Sequence, residues 1–207
     1  MEFGNIILTL HNNTSRVIIF ENKSNLSQEL NCVMKQTIII LLIILMMGLI
    51  GLLIYTLIPE KSIPKNARIT KILVLKNQRK LILFENDEEF KTYKISLGFQ
   101  PIGHKQFEGD GKTPEGLYTI NDKNSKSAYH LNLGISYPNE KDKAYANSKN
   151  KNPGGDIKIH GLKNNMMNIG KLHRFKDWTL GCIALTNSEI EELFNHVEKG
   201  TPIEIRK

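Results

Sequence analysis

Two side chains in the sequence are suited to nucleophilic catalysis, Cys182 and His160, and they stand on separate segments. A thiolate is a strong nucleophile, and a nearby imidazole can take the thiol proton and later return it to a leaving group. Each residue alone is more often structural, because a lone cysteine is usually a small core residue and a lone histidine a satisfied polar group. The neighbouring residues decide between these interpretations.

Each of the two residues has a glycine beside it. Gly181 precedes the cysteine and allows a close approach to the backbone, so the amides of Gly181 and Cys182 are suited to hold the oxyanion of a tetrahedral intermediate. Gly161 follows the histidine, and its carbonyl can accept the Nδ1–H of His160 and leave Nε2 for the sulfur. We therefore predict a thiol–imidazole pair with a backbone oxygen as its third member.

The remaining histidines offer an alternative chemistry, a metal site. His104, His130 and His173 are the candidates to join His160, but no pair has the tight spacing of zinc ligands. We predict neither a metal nor another cofactor. His104 and His173 are expected at the rim of the site or at the surface.

The elements that must position the site are short β-strands. Apolar runs separated by turn residues predict an antiparallel meander over residues 69–75, 80–85 and 90–97. Five glycines and two prolines predict a long ordered loop over residues 98–116. Two more strands are predicted at 117–120 and 130–135. The polar stretch that follows, up to residue 152, is expected to be mobile.

The end of the sequence predicts one helix and a last strand. Thr186 and Glu189 form a capping box, and apolar residues follow at helical spacing up to Val197. Ile203 and Ile205 alternate with polar neighbours as a strand does. The predicted fold is mostly β (α+β), with one or two helices packed on the sheet.

A membrane segment precedes this domain. Residues 38–58 carry no charge over 21 positions and would cross about 31 Å of hydrocarbon. No small-residue cleavage site follows, so we predict an uncleaved anchor at 37–58 between a tail at 1–36 and a linker at 59–67, with the catalytic domain at 68–207. Met34 followed by lysine and the apolar run suggests Met34 as the natural start. Flanking charges leave the orientation ambiguous, and the excess of Lys61, Lys65 and Arg68 over Lys35 favours, if anything, a cytoplasmic side for the domain.

Composition limits the function classes. The 207 residues carry a net charge of +7, all of it on residues 59–207. Such a basic domain is attracted to polyanions, but its lysines are scattered singly and no nucleic-acid recognition motif is present. We therefore expect no nucleic-acid partner.

Four blocks in a fixed order carry a resemblance to a known family. They are the strands at 72–85, the glycine-rich stretch at 97–116, Ile159-His160-Gly161, and residues 177–187, which read DWTLGCIALTN. Over roughly residues 69–206 the sequence resembles the YkuD-like L,D-transpeptidase catalytic domain, in the branch with the D-W-T-x-G-C-I-A signature.

The resemblance implies a β-rich fold and a thioester between Cys182 and the stem peptide of peptidoglycan, which passes to an amine acceptor or to water. It implies a cell-membrane protein, single-pass, with the catalytic domain on the extracytoplasmic side. By this mapping Cys182 is the nucleophile, His160 the proton donor and acceptor, and the Gly161 carbonyl orients the ring, while Gly181 belongs to the oxyanion hole. The expected substrate contacts are Thr179, Leu180, His104 and Trp178, of which Trp178 is favoured as a packing anchor.

The sequence departs from the family pattern near the nucleophile. The pattern Ser/Thr-His-Gly-Cys reads Thr179-Leu180-Gly181-Cys182 here, so the second imidazole is missing, and Ala184 replaces a polar residue. His160 and Cys182 are 22 positions apart, and the inserted residues 163–174 are predicted to form a lid or an acceptor-side loop. Three functions stay open: a transpeptidase, a hydrolase such as an L,D-carboxypeptidase or amidase, and an inactive wall-binding module.

Overall fold

The computed structural model of the protein describes residues 3–59, 62–165 and 167–207. Parts of the predicted tail (residues 1 and 2), linker (60 and 61) and lid (166) lie outside the described residues. The chain forms two compact units, Met1–Ile58 and Pro59–Lys207.

The first unit consists of one helix, α1 (Phe3–Leu57). Its part Asn25–Leu57 is long and apolar enough, by length and composition, to cross a membrane, with a mean hydropathy of 3.1 over 18 residues. The predicted apolar segment at 38–58 lies almost entirely inside this part. One helix runs through the predicted tail and anchor, so the boundary between them stays a prediction.

The second unit is built on an eight-stranded mixed sheet. Its strands are β1 (Lys71–Leu75), β2 (Lys80–Glu85), β3 (Glu88–Lys94), β4 (Gly116–Ser127), β5 (His130–Ile135), β6 (Lys158–His160), β7 (Ile183–Ala184) and β8 (Pro202–Arg206). They lie in the order β3-β2-β1-β8-β4-β5-β6-β7. β1 pairs in parallel with β8, and β6 in parallel with β7, while the other neighbours are antiparallel.

The core is formed by apolar residues at alternate positions of the strands, whose side chains lie on one face of the sheet. In the central pair β1 and β8, Ile72, Val74, Ile203 and Ile205 are at most 2% exposed. They form one cluster with the inward residues of β2, β5 and β6. Burying apolar surface in this way stabilises the fold by about 25 cal/mol per Å².

The two edges of the sheet come together behind the core. Ser96, shortly after β3, forms an antiparallel bridge to Ala184 on β7, and Gly98 forms a parallel bridge to Thr179. The segment that leaves one edge strand therefore continues along the other. This closure brings residues 96–98 against the segment that carries the cysteine.

Two helices accompany the sheet. α3 (Asn187–His196) begins at the predicted capping box, with the Thr186 hydroxyl and the Glu189 carboxylate bonded reciprocally, and it buries Ile190 and Leu193. α2 (Glu140–Ser148) lies in the polar stretch that was expected to be mobile. A second capping box, Asn139 with Asp142, satisfies the first amides of α2 and holds it in place.

The predicted fold class is confirmed: a mixed sheet with several helices. β2 and β5 have the predicted bounds, whereas β4 extends seven residues beyond its predicted end.

Candidate active site

Cys182 and His160 are brought together by β6 and β7. In this parallel pair Ile159 lies opposite Ile183 and His160 opposite Ala184. Cys182 immediately precedes β7, two positions before Ala184. Both line one cavity of about 670 Å³.

The imidazole of His160 is held as a neutral ring. Its Nδ1–H donates to the Gly161 carbonyl at 2.7 Å, which leaves Nε2 unprotonated. The residue is 5% exposed, and burial lowers the pKa of His160 to about 4. The rings of Tyr129 and Trp178 flank the imidazole, with centroids at 4.6 and 5.7 Å. The ring can therefore accept a proton at neutral pH.

Gly161 is required by its tight surroundings. A Cβ at this position would lie 2.8 Å from Asn187 Oδ1 and 2.9 Å from Ile190 Cγ2. Any side chain here would push α3 away from the end of β6. The glycine therefore serves both the packing of the helix and the exposure of the carbonyl that holds His160.

The Cys182 thiol is partly buried and donates to the Asp156 carbonyl at 3.6 Å. Burial raises the pKa of the Cys182 thiol, while the backbone N–H of Lys158 favours the thiolate and opposes this shift. In the resting site the sulfur is therefore a neutral thiol beside a neutral imidazole, and its hydrogen bond goes to Asp156 rather than to His160.

The turn before Cys182 is stabilised by Thr179. Its hydroxyl donates to the Cys182 carbonyl at 2.7 Å and accepts the Gly181 N–H at 3.1 Å. Gly181 has φ +135°, and a Cβ there would lie 2.6 Å from the Lys112 carbonyl oxygen. Only glycine fits this turn, and its amide already has a partner, which argues against the predicted use of the Gly181 N–H in an oxyanion hole.

Asp177 fixes the start of the same segment. Its carboxylate accepts hydrogen bonds from the Arg79 guanidinium and from the Leu97 N–H, the latter at 2.9 Å. The segment that carries Cys182 is thereby tied to the β1–β2 turn and to the chain after β3.

The structure has the long loop that was predicted over 98–116. Buried lysines stabilise it. Lys105 is 3% exposed and donates to Asp110, whose carboxylate also accepts three backbone N–H groups. Lys76, 1% exposed, donates to the Thr113 carbonyl and to Glu115 at 2.8 and 2.9 Å. These contacts hold Lys105 and Gly109 at the wall of the cavity.

The predicted substrate contacts are separated by the structure. Thr179, Leu180 and Trp178 line the cavity with Cys182, and Leu180 is 76% exposed. His104 does not line it. It lines another cavity of about 1100 Å³, where its Nδ1 accepts the Glu115 N–H at 2.9 Å and its Nε2 lies 3.1 Å from Asp142.

His173 differs from expectation, while the role predicted for the inserted segment stays a prediction. His173 is buried rather than at the rim or the surface, because its Nδ1 and its carbonyl oxygen both bond the Ser96 hydroxyl, at 3.1 and 2.9 Å. Met167–Phe175 forms 3-10 helix with a kink at Gly170. The Arg174 guanidinium, at the end of this segment, lies 2.5 Å from the Glu189 carboxylate of α3.

Several cavity residues were missed from the sequence. Neither a motif nor a local periodicity marks them, since strand register and the β4–β5 hairpin bring them to the site. The missed residues are Asn124, Tyr129, Asn132, Asp156 and Lys158.

Among residues 25–59, 62–165 and 169–207, no group of three or more His, Cys, Asp or Glu side chains could hold a metal ion.

The site and fold agree with the comparison to known families. A family model of the L,D-transpeptidase catalytic domain, YkuD, matches residues 69–205. The chain belongs to this family, which confirms the resemblance drawn from the four sequence blocks.

Two relatives illustrate the similarity. The YafK protein of Escherichia coli (strain K12) is 30% identical over 132 residues, 61% of this chain and 46% of YafK. The chain thus spans about half the length of the curated relatives it matches. The crystal structure of the helical cell shape determining protein Pgp2 from Campylobacter jejuni is 26% identical, with a TM-score of 0.52, and the match covers 69% of this chain and 49% of that one.

Proposed function

We propose that the protein is a cysteine acyltransferase of the bacterial cell wall, an L,D-transpeptidase that forms a thioester with a peptidoglycan stem peptide. The observation that carries the proposal is that Cys182, immediately before β7, and His160, on β6, line one cavity, with Nδ1 of the imidazole bonded to Gly161. Membership in the family supports the choice of substrate class.

The first half-reaction uses the neutral pair. The thiol turns from the Asp156 carbonyl and gives its proton to Nε2 of His160, and the thiolate attacks the carbonyl carbon of the stem peptide. The C–N bond then breaks, and His160 returns the proton to the leaving amine. The Gly161 carbonyl stabilises the imidazolium through Nδ1–H throughout.

The oxyanion of the tetrahedral intermediate needs a backbone donor. The Gly181 N–H is bonded to the Thr179 hydroxyl. We therefore assign the Cys182 N–H as the donor, while Gly181 provides the backbone conformation that its φ of +135° allows.

The second half-reaction decides between two outcomes. An amine acceptor gives a new peptide cross-link, and water gives a trimmed stem or a released peptide. Leu180 stands at the position where the family pattern has a histidine. We favour the transferase, and a hydrolase of the same family is the alternative; an inactive wall-binding module is the third candidate.

The apolar helix supports a location at the membrane. Asn25–Leu57 is suited to anchor the protein, with the catalytic domain on the extracytoplasmic side where peptidoglycan lies. A periplasm-specific and a cytoplasm-specific reporter fused after Lys207 test this. Activity of the cytoplasmic reporter alone would contradict the wall assignment.

The activity is tested with the full chain in detergent and purified muropeptides, with products resolved by mass. Cross-linked dimers indicate a transpeptidase, and shortened stems a hydrolase. Cys182→Ala and His160→Ala should abolish either product, while Cys32→Ser, at the other cysteine of the chain, should retain it. Unchanged muropeptides, together with a Cys182 thiol that a carbapenem fails to acylate, would support the inactive module instead.

A further inference from the structure

Asn132 stands beside His160 in the sheet. In the antiparallel pair β5–β6 the two residues lie directly opposite each other, so their side chains project from the same face. Both line the cavity that holds Cys182. Asn132 is a buried polar residue, 3% exposed, that the proposed first half-reaction does not use.

The carboxamide oxygen of Asn132 has no hydrogen-bond partner among the residues that the structure describes. A buried acceptor without a partner costs about 1–3 kcal/mol, so its presence in a catalytic cavity points to a ligand. Asn124 on β4 lies opposite Asn132 and lines the same cavity, but its carboxamide oxygen has a hydrogen-bond partner. Its Oδ1 accepts the Lys126 N–H at 2.8 Å.

The strand order places Asn132 and Cys182 on opposite sides of His160. Cys182 immediately precedes β7, His160 is on β6 and Asn132 on β5, so the imidazole lies between the sulfur and the carboxamide. Neighbouring strands are about 4.8 Å apart. A group that contacts Nε2 of His160 is therefore within reach of both the acyl group on Cys182 and the amide of Asn132.

We propose that Asn132 binds the amine acceptor of the second half-reaction, an inference that rests on the proposed function. The amine nitrogen attacks the thioester carbonyl carbon, and the N–C bond forms as the C–S bond breaks. One N–H proton passes to Nε2 of His160 and then to the leaving Sγ. The second N–H donates to Oδ1 of Asn132, which orients the nitrogen lone pair toward the carbonyl carbon.

A carboxamide suits this task better than a carboxylate. An amine attacks only in its neutral form, and a carboxylate would favour the ammonium ion by Coulomb attraction. The neutral oxygen of Asn132 accepts a hydrogen bond without raising the pKa of the amine. Asn132 thereby acts on the choice between amine and water, and not on the formation of the thioester.

The test separates the two half-reactions of the full chain in detergent. Acylation by purified muropeptides is followed by intact mass, and the ratio of amide to acid product is measured with glycinamide as the amine. In Asn132→Ala and Asn132→Leu we expect acylation within about twofold of the parent, and an amide-to-acid ratio reduced roughly fivefold, the effect of one lost hydrogen bond. Asn124→Ala is the matched control and should leave the ratio unchanged.

Other results overturn the proposal. An unchanged ratio in both Asn132 variants excludes a role in amine binding. Equal losses in acylation and in amide formation make Asn132 a structural support of His160. Acid product alone at every glycinamide concentration, in the parent, means that no amine is bound. If the parent forms no thioester, the proposed function itself is wrong, and this inference falls with it.

Discussion

Arg79 and Asp177 form a forked ion pair across 98 positions of the sequence. The guanidinium Nε lies 3.0 Å and Nη2 2.6 Å from Oδ2 of Asp177, and Nε also lies 3.1 Å from Oδ1. Asp177 begins the segment that ends in the cysteine, so this pair ties the nucleophile to the β1–β2 turn. Arg79 reaches it from a left-handed backbone conformation, with φ 51°.

Loss of this pair should lower the stability of the fold. Asp177→Asn weakens the bond to Arg79 and the bond from the Leu97 N–H, and we expect a loss of about 2 kcal/mol in the free energy of unfolding. Arg79→Lys keeps the charge but loses the fork, so it should also destabilise. Urea denaturation measures both. Asp122→Asn, which breaks the exposed pair with Lys199, is the control and should cost less than either substitution, because solvent screens an exposed ion pair. Equal effects at the two sites would contradict this structural role.

The protonation state of the site is tested by alkylation of Cys182. Burial raises the pKa of this thiol and lowers the pKa of His160 to about 4, so the resting pair is neutral. The rate of modification by iodoacetamide should therefore rise steadily through neutral pH toward pH 9 and above. A preformed thiolate–imidazolium pair would instead give a high plateau between about pH 5 and 8. A Cys32→Ser background, followed by intact mass, restricts the measurement to Cys182.

Acid should weaken the fold through two buried histidines. Burial lowers the pKa of both His160 and His173 to about 4, below the unfolded value of 6.5. The unfolded chain binds more protons between these values, so stability falls as pH decreases from about 6.5 to 4. His173→Asn, which keeps a donor for Ser96, should reduce this slope. Urea midpoints across the pH range measure it, and equal slopes in parent and variant would exclude His173 as a cause.

The turn at Gly181 should tolerate no side chain. Gly181→Ala places a methyl group 2.6 Å from the Lys112 carbonyl oxygen at a φ of +135°. We expect at least about 2 kcal/mol of destabilisation, together with loss of acylation. Gly200→Ala separates the effect of the backbone conformation from that of the close contact. Its φ is +93°, but nothing lies within 4 Å of a Cβ placed there. Its cost should be about 1 kcal/mol. A similar cost at both positions would show that the close contact is unimportant.

The candidate catalytic residues could be named from the sequence because they lie in short local blocks. Cys182 with its glycine and His160 with its glycine are visible without knowledge of the fold, and β2 and β5 follow from local apolar runs and turn residues. Asn132 and Tyr129 carry no such signal. Their place beside His160 comes from the β5–β6 register and from the hairpin, which are long-range properties.

Two polar segments, the α2 stretch and the loop that carries His104, were harder to interpret from the sequence. The α2 stretch buries only Asp142 and Ala146, so it lacks an apolar periodicity, and its capping box at Asn139 was the available signal. His104, in the glycine-rich loop, was expected to contact substrate. The loop turns it away, and bonds to Glu115 and Asp142 hold it in the other cavity.

Substitutions of Leu180 and Leu117 test which of the two cavities binds the substrate. Their side chains are 76% and 73% exposed, and each lines one of the cavities, Leu180 beside Cys182 and Leu117 beside His104. Substitution of either by serine should change the free energy of unfolding by less than about 0.5 kcal/mol, since little buried surface is lost. A substrate that packs on Leu180 buries part of its apolar surface, so Leu180→Ser should raise KM for muropeptides roughly fivefold.

The alkylation rate of Cys182 should stay constant in Leu180→Ser, because the substitution changes neither the thiol nor His160. Leu117→Ser should leave KM unchanged, because its cavity lies away from the nucleophile. A rise in KM with Leu117→Ser and none with Leu180→Ser would move the substrate to the cavity of His104. In that case Leu180 would not be a substrate contact.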